Sequence, residues 1–143
     1  MDFDQIIGQK NIKSHLQTTV ANGRISHAQL FVGQNGSGIL PMAIAYASDI
    51  LSLGHEPTST ALHRSKENVR QLAHPDLHFI FPVNTNHTVK KHPVSSLFLE
   101  EWRDFVKNKP YGSLFQWLQQ LGIENKQGNI NVDEAANLLK NLS

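Results

Sequence analysis

The chain has 143 residues, a formal net charge of +1 and no cysteine. That length bounds one domain or part of one, with enough apolar residues for a core. No run of about 18 apolar residues marks a membrane span, and the acidic start at Asp2 and Asp4 is not that of a signal peptide. The missing cysteines exclude disulfides and Cys-zinc sites, the near-neutral charge gives no electrostatic footprint for nucleic acid, and the expected compartment is the cytoplasm.

Residues 9–22 read as an amphipathic helix, with Ile12, Leu16, Thr19 and Val20 on one face and Gly23 as its stop. Gln29, Leu30, Phe31 and Val32 read as a short buried strand. A glycine-rich turn follows, then a helix over 41–53 with Pro41 in its first turn, where the missing N–H costs nothing. A polar loop covers 56–60, and 62–72 reads as a short helix rich in charge. His74-Pro75-Asp76 is a turn, because proline pushes the preceding residue out of helix. Residues 77–81 read as a second strand closed by Pro82, and 84–92 as a surface loop.

Three helices fill the rest. Residues 97–108 place Phe98, Trp102 and Phe105 on one face. Residues 114–121 do the same with Leu114, Trp117, Leu118 and Leu121, and Gly122 stops them. After a brief extended stretch over 130–132, Asp133 caps a last helix whose Ala135, Leu138, Leu139 and Leu142 lie together. Helices around two short parallel strands predict an α/β layered fold. Two strands are too few for a complete sheet, so further strands are expected beyond Ser143 and the chain is read as a fragment.

The turn is the most informative stretch. It reads Gly33-Gln34-Asn35-Gly36-Ser37-Gly38-Ile39-Leu40. The phosphate-binding loop has the pattern G-x-x-x-x-G-K-[ST], between a strand and a helix. Gly33 and Gly38 hold its two glycine positions, but Ile39 stands where the lysine belongs and Leu40 where the Ser or Thr belongs. Backbone N–H groups and a helix N-terminus attract anions. The lysine reaches the terminal phosphates and the hydroxyl holds Mg²⁺. Each such charge-assisted bond contributes roughly 1.5–3 kcal/mol. Residues 33–38 therefore form a vestigial phosphate loop with no catalytic residue. Residual binding of ATP, ADP or an anion by the backbone stays open.

Other constellations carry less. Six histidines, at 55, 63, 74, 78, 87 and 92, cluster in loops without the spacing of a metal site, so no metal is expected. Lys90 and Lys91 read as a solvated loop tip. Phe98, Trp102, Phe105 and Trp117 read as core. Ser26 with His27, and Asp76 with His78, lack a third orienting group and are not catalytic pairs.

Four motifs in order resemble the N-terminal AAA+ region of bacterial DNA polymerase III clamp loaders, over essentially the whole chain. Phe3-Asp4-Gln5-Ile6-Ile7-Gly8-Gln9 resembles the opening box of AAA+ proteins. The others are His27-Ala28-Gln29-Leu30-Phe31-Val32-Gly33, His74-Pro75-Asp76-Leu77-His78 and Ile130-Asn131-Val132-Asp133. The resemblance implies a partial AAA+ P-loop three-layer fold over residues 1–143, truncated after its first two parallel strands. It implies that Ile7 and Gly8 lie near an adenine. Ile39 and Leu40 favour a delta-prime-like, non-catalytic subunit over an ATP-hydrolysing gamma/tau-like one with an atypical loop, which stays as the alternative. Implied partners are a gamma/tau-like ATPase and delta, with the sliding clamp and primer-template DNA reached only through the complex, and no membrane. The family's four-cysteine zinc module, between the loop helix and the HPD turn, has no counterpart in this sequence. The Walker B strand, sensors and trans-acting arginine of the family would lie beyond Ser143.

Overall fold

A computed structural model describes residues 1–123 and 125–142. Among the described residues it contains six α-helices: α1 (Lys10–Ala21), α2 (Ile39–Leu51), α3 (Thr60–Arg70), α4 (Leu99–Asn108), α5 (Leu114–Leu121) and α6 (Val132–Leu142). Short 3₁₀ turns cover Phe3–Gln5 and Ser95–Phe98. The chain divides into two units, Met1–Leu77 and His78–Ser143.

In the first unit, apolar spacing dictates the packing. Leu16 and Val20, four residues apart on α1, meet Met42, Ala45 and Tyr46 of α2, and Phe3 and Ile6 close the same core. Burying one such side chain contributes about 1.5–3 kcal/mol relative to leaving it in water. Ser59 caps α3 by accepting from the Leu62 N–H at 3.1 Å. That cap starts α3 two residues before the expected position 62, at Thr60. Val69 is fully buried on the same helix.

The two predicted parallel strands do not form. Among the described residues there is no β-strand, only an isolated antiparallel bridge between Val83 and Asn129. Residues 29–32 lie outside any helix or strand, and only Phe31 turns onto the core, against Tyr46 with ring centroids 6.0 Å apart. Leu30 and Val32 are 85% and 84% exposed. An apolar run reads as buried on both faces, but here only one face has helices to meet. The segment 77–81 fails as a strand for another reason. The backbone groups of Phe81 bond the Ser95 hydroxyl, which accepts from its N–H at 3.0 Å and lies 3.2 Å from its carbonyl oxygen.

The second unit is built on aromatic rings. Phe81 stacks on Trp102 at 4.3 Å, and Trp117 stands edge-on to both at 5.1 Å. Phe98, Trp102, Phe105 and Trp117 are all buried, as their helical spacing predicts. The Trp117 indole N–H donates to the Pro82 carbonyl at 2.8 Å. Helix α5 has the predicted bounds, set by a capping box between Ser113 and Gln116 and by Gly122 in the left-handed region. Leu114, however, points away from this core and is 54% exposed. On α6 the expected apolar face is open, with Leu139 and Leu142 exposed, and the buried residue is Glu134. The loop 84–92 is tied down: Asn86 is buried, donates to the Leu121 carbonyl at 2.9 Å and accepts from the Thr88 and Val89 N–H groups.

Candidate functional site

The glycine loop sits at the start of α2. Gly38 is the N-cap, with φ +87°, and Gly36 has φ +80°. Both values favour glycine, so the pattern's backbone demand is met at these positions. Inside the loop, the Ser37 N–H donates to the Gln34 carbonyl at 3.1 Å, and the Met42 N–H continues the helix to the Gly38 carbonyl at 3.0 Å. Gly33, Gln34, Asn35 and Gly36 are exposed, Ser37 is half-buried and Gly38 is buried. The predicted loop residues are therefore brought together as a turn leading into a helix.

The side chains beside that turn are apolar. Ile39 folds back over Gly33: a Cβ on Gly33 would lie 3.1 Å from Ile39 Cγ1 and 3.2 Å from Cδ1. The position that supplies a cation in the working pattern thus supplies a methylene against the loop. Pro41, at the third helical position, removes one of the N–H groups a helix start offers to an anion. A cleft of about 70 Å³ opens beside the loop, lined by Gln9, Ile12, Phe31, Val32, Ser37, Gly38, Ile39 and Met42. Small-molecule sites run roughly 300–1,000 Å³, so this cleft is smaller than such sites.

The start of α1 does approach the loop. Gly8 and Gln9 are both left-handed, with φ +68° and +53°, and Gln9 lines the cleft. Ile7 and Gly8, expected near an adenine, are not among its lining residues, and Ile7 is 80% exposed. Lys13 on α1, a cation near in sequence to the loop's neighbours, is engaged elsewhere, donating to the Ile6 carbonyl. Burial pushes the Asp49 carboxyl on α2 above its usual range, with Lys66 pulling the other way.

A second constellation escaped the sequence. Its residues are Ser65, His74 and Asp76. The Asp76 N–H donates to His74 Nδ1 at 3.1 Å, which leaves Nε2 to carry the ring proton. Nε2 donates to Ser65 Oγ at 3.1 Å, and that hydroxyl donates on to the Leu51 carbonyl at 3.3 Å. A nucleophilic serine needs the facing ring nitrogen as an acceptor. Here that nitrogen is the donor, so the chain of bonds pins the HPD turn onto α2 and α3 and does not activate Ser65. The sequence showed this turn through its proline and its HPD motif, but not the buried partner of His74, which lies nine residues upstream.

No group of three or more His, Asp or Glu side chains among the described residues is arranged to hold a metal. No described helix is long and apolar enough to cross a membrane.

The family model described as DNA polymerase III, delta subunit, matches residues 8–143. A curated relative, DNA polymerase III subunit delta' of Bacillus subtilis (strain 168), is 31% identical over 91 residues. The aligned part is 62% of this chain and 26% of the relative, so the chain matches about a quarter of that protein's length. No solved structure matches the chain significantly.

Proposed function

The chain belongs to the DNA polymerase III, delta subunit, family, and on that premise we propose that it is the N-terminal part of a non-catalytic, delta-prime-like clamp-loader subunit. Its role is structural: it contributes a rigid member to the complex that loads the sliding clamp during DNA replication. Residues 1–143 form part of an AAA+ P-loop domain in this reading. Its partners are a gamma/tau-like ATPase and delta, it meets the clamp and primer-template DNA only through them, and it works in the cytoplasm.

One observation carries the non-catalytic reading. Ile39 holds the lysine position and lies over Gly33. Phosphoryl transfer is catalysed almost entirely by positioning and by charge placed against the phosphates. A sec-butyl side chain supplies neither. Lys13, bonded to Ile6, supplies no substitute.

The test is ATP turnover by the purified protein, alone and mixed with a gamma/tau-like ATPase. The expected result is no turnover alone, together with co-elution with the ATPase. Robust hydrolysis by the protein alone would overturn the reading.

A further inference from the structure

A larger cleft lies in the first unit, away from the glycine loop. Its volume is about 330 Å³, within the size range of small-ligand sites. Ala61, Arg64, Ser65 and Asn68 line one wall from a single face of α3, at helical spacing. His74, Pro75 and Asp76 of the HPD turn form the second wall, and Leu51 and His55 close the end.

The floor asks for nothing. Ser65 is 6% exposed, and its hydroxyl and the His74 ring satisfy each other and the Leu51 carbonyl. The rim differs. The Arg64 guanidinium and the Asn68 amide have no hydrogen-bond or ion-pair partner within the described chain, and they stand four residues apart on one helix. Between them they offer up to seven N–H donors, a set suited to a carboxylate's two oxygens. Asp76, on the facing wall, is 79% exposed, and its carboxylate comes no closer than 4.0 Å to the His74 ring. Because His74 Nδ1 is already an acceptor, that contact is not an ion pair. The cleft therefore presents an unneutralised cation with an amide on one wall and an unneutralised anion on the other.

We propose that this cleft binds a ligand carrying both a carboxylate and an ammonium group, the carboxylate on Arg64 and Asn68 and the ammonium on Asp76. The same pair of charges occurs in a free α-amino acid and in a peptide segment with an acidic and a basic residue. A simple anion would meet Asp76 as a repulsive neighbour, and a simple cation would meet Arg64. The inference is independent of the clamp-loader role, since it uses neither the glycine loop nor any partner subunit.

The test is an ¹⁵N NMR titration of the chain with free glutamate and, separately, with the capped peptide acetyl-Glu-Gly-Lys-amide. Saturable shifts are expected at residues 64, 68 and 76, with Kd on the order of 1 mM for so small a ligand. Response to glutamate assigns a free amino acid as the source, and response to the peptide alone assigns a peptide segment. Acetate and methylammonium are the single-charge controls and should bind more weakly by up to about fivefold, the upper value of one exposed ion pair. Arg64→Gln and Asp76→Asn remove the two charges at exposed positions and leave the His74 backbone bond in place, and each should raise Kd by up to about fivefold. Absence of saturable shifts with both probes, or affinities unchanged in both variants, would overturn the proposal.

Discussion

Replacing Ser95 by alanine tests the least obvious joint of the second unit. Ser95 is 1% exposed and its hydroxyl meets three groups: the Phe81 N–H, the Phe81 carbonyl and Glu134 Oε2, at 3.0, 3.2 and 3.0 Å. A hydroxyl has one proton, so while it accepts from the Phe81 N–H it donates to only one of the two oxygens at a time. The accepted bond satisfies a buried N–H that alanine would strand, at a cost of about 1–3 kcal/mol. The donated bond goes to a buried carboxylate and is worth about 1.5–3 kcal/mol. Glu134 keeps the Ser95 N–H at 2.8 Å in the variant, which recovers part of the loss. The expected destabilisation is about 3 kcal/mol, in the range of the costliest polar core changes. Urea unfolding followed by tryptophan fluorescence reads it directly, since Trp102 and Trp117 lie in this core. Glu134→Ala and the double variant complete a cycle, and the coupling between the two sites should be about 1 kcal/mol or more. A loss below about 0.5 kcal/mol, or additive single changes, would refute the account of a shared buried network.

Three further outcomes follow from the same structure. Ile39→Lys combined with Leu40→Thr should raise affinity for Mg-ATP about tenfold or more, the value of one charge-assisted contact, in a fluorescent-nucleotide titration; unchanged affinity would show that the loop's backbone, not its missing side chains, is the defect. Asp49→Asn should raise the Tm at pH 7, because burial raises this carboxyl's pKa and the ionised form therefore costs stability. That gain should be full above the raised pKa and vanish as pH falls below the ordinary value of 3.8, where the carboxyl is protonated folded or unfolded; thermal melts at pH 7 and pH 3 distinguish the two. Gly112→Ala should destabilise by about 1–3 kcal/mol in the same urea assay, since its Cβ would lie 2.5 Å from Phe105 Cζ and 2.9 Å from the Lys109 carbonyl oxygen.

Local signals were read well where the physics is local. Gly122 stops α5 in the sequence as it does in the structure, because a left-handed glycine acts within a few residues; the Ser113 capping box at the other end comes from the structure. The aromatic face of α4 was legible for the same reason. The strands were not, because a strand is defined by the neighbour that pairs with it, and neither 29–32 nor 77–81 has one among the described residues. Periodicity reads α6 as apolar along Ala135, Leu138, Leu139 and Leu142. It has no way of seeing that Glu134 is the side chain carried inward, since its partner Ser95 is 39 residues away. At the glycine loop the sequence revealed the missing lysine, but only the coordinates show Ile39 turned back over Gly33.

The bonds that close the second unit also bear on how fast it assembles. Trp117 to Pro82, Asn86 to Leu121 and Ser95 to Glu134 span 35, 35 and 39 residues. Val83 and Asn129 are joined across a similar stretch. Helical units owe their speed to contacts between near neighbours, and each long closure demands chain entropy before it returns any energy. This unit has helices but is fastened like a β-rich protein. Its refolding should therefore be slow for its helix content, lasting milliseconds or longer and not the microseconds of simple bundles.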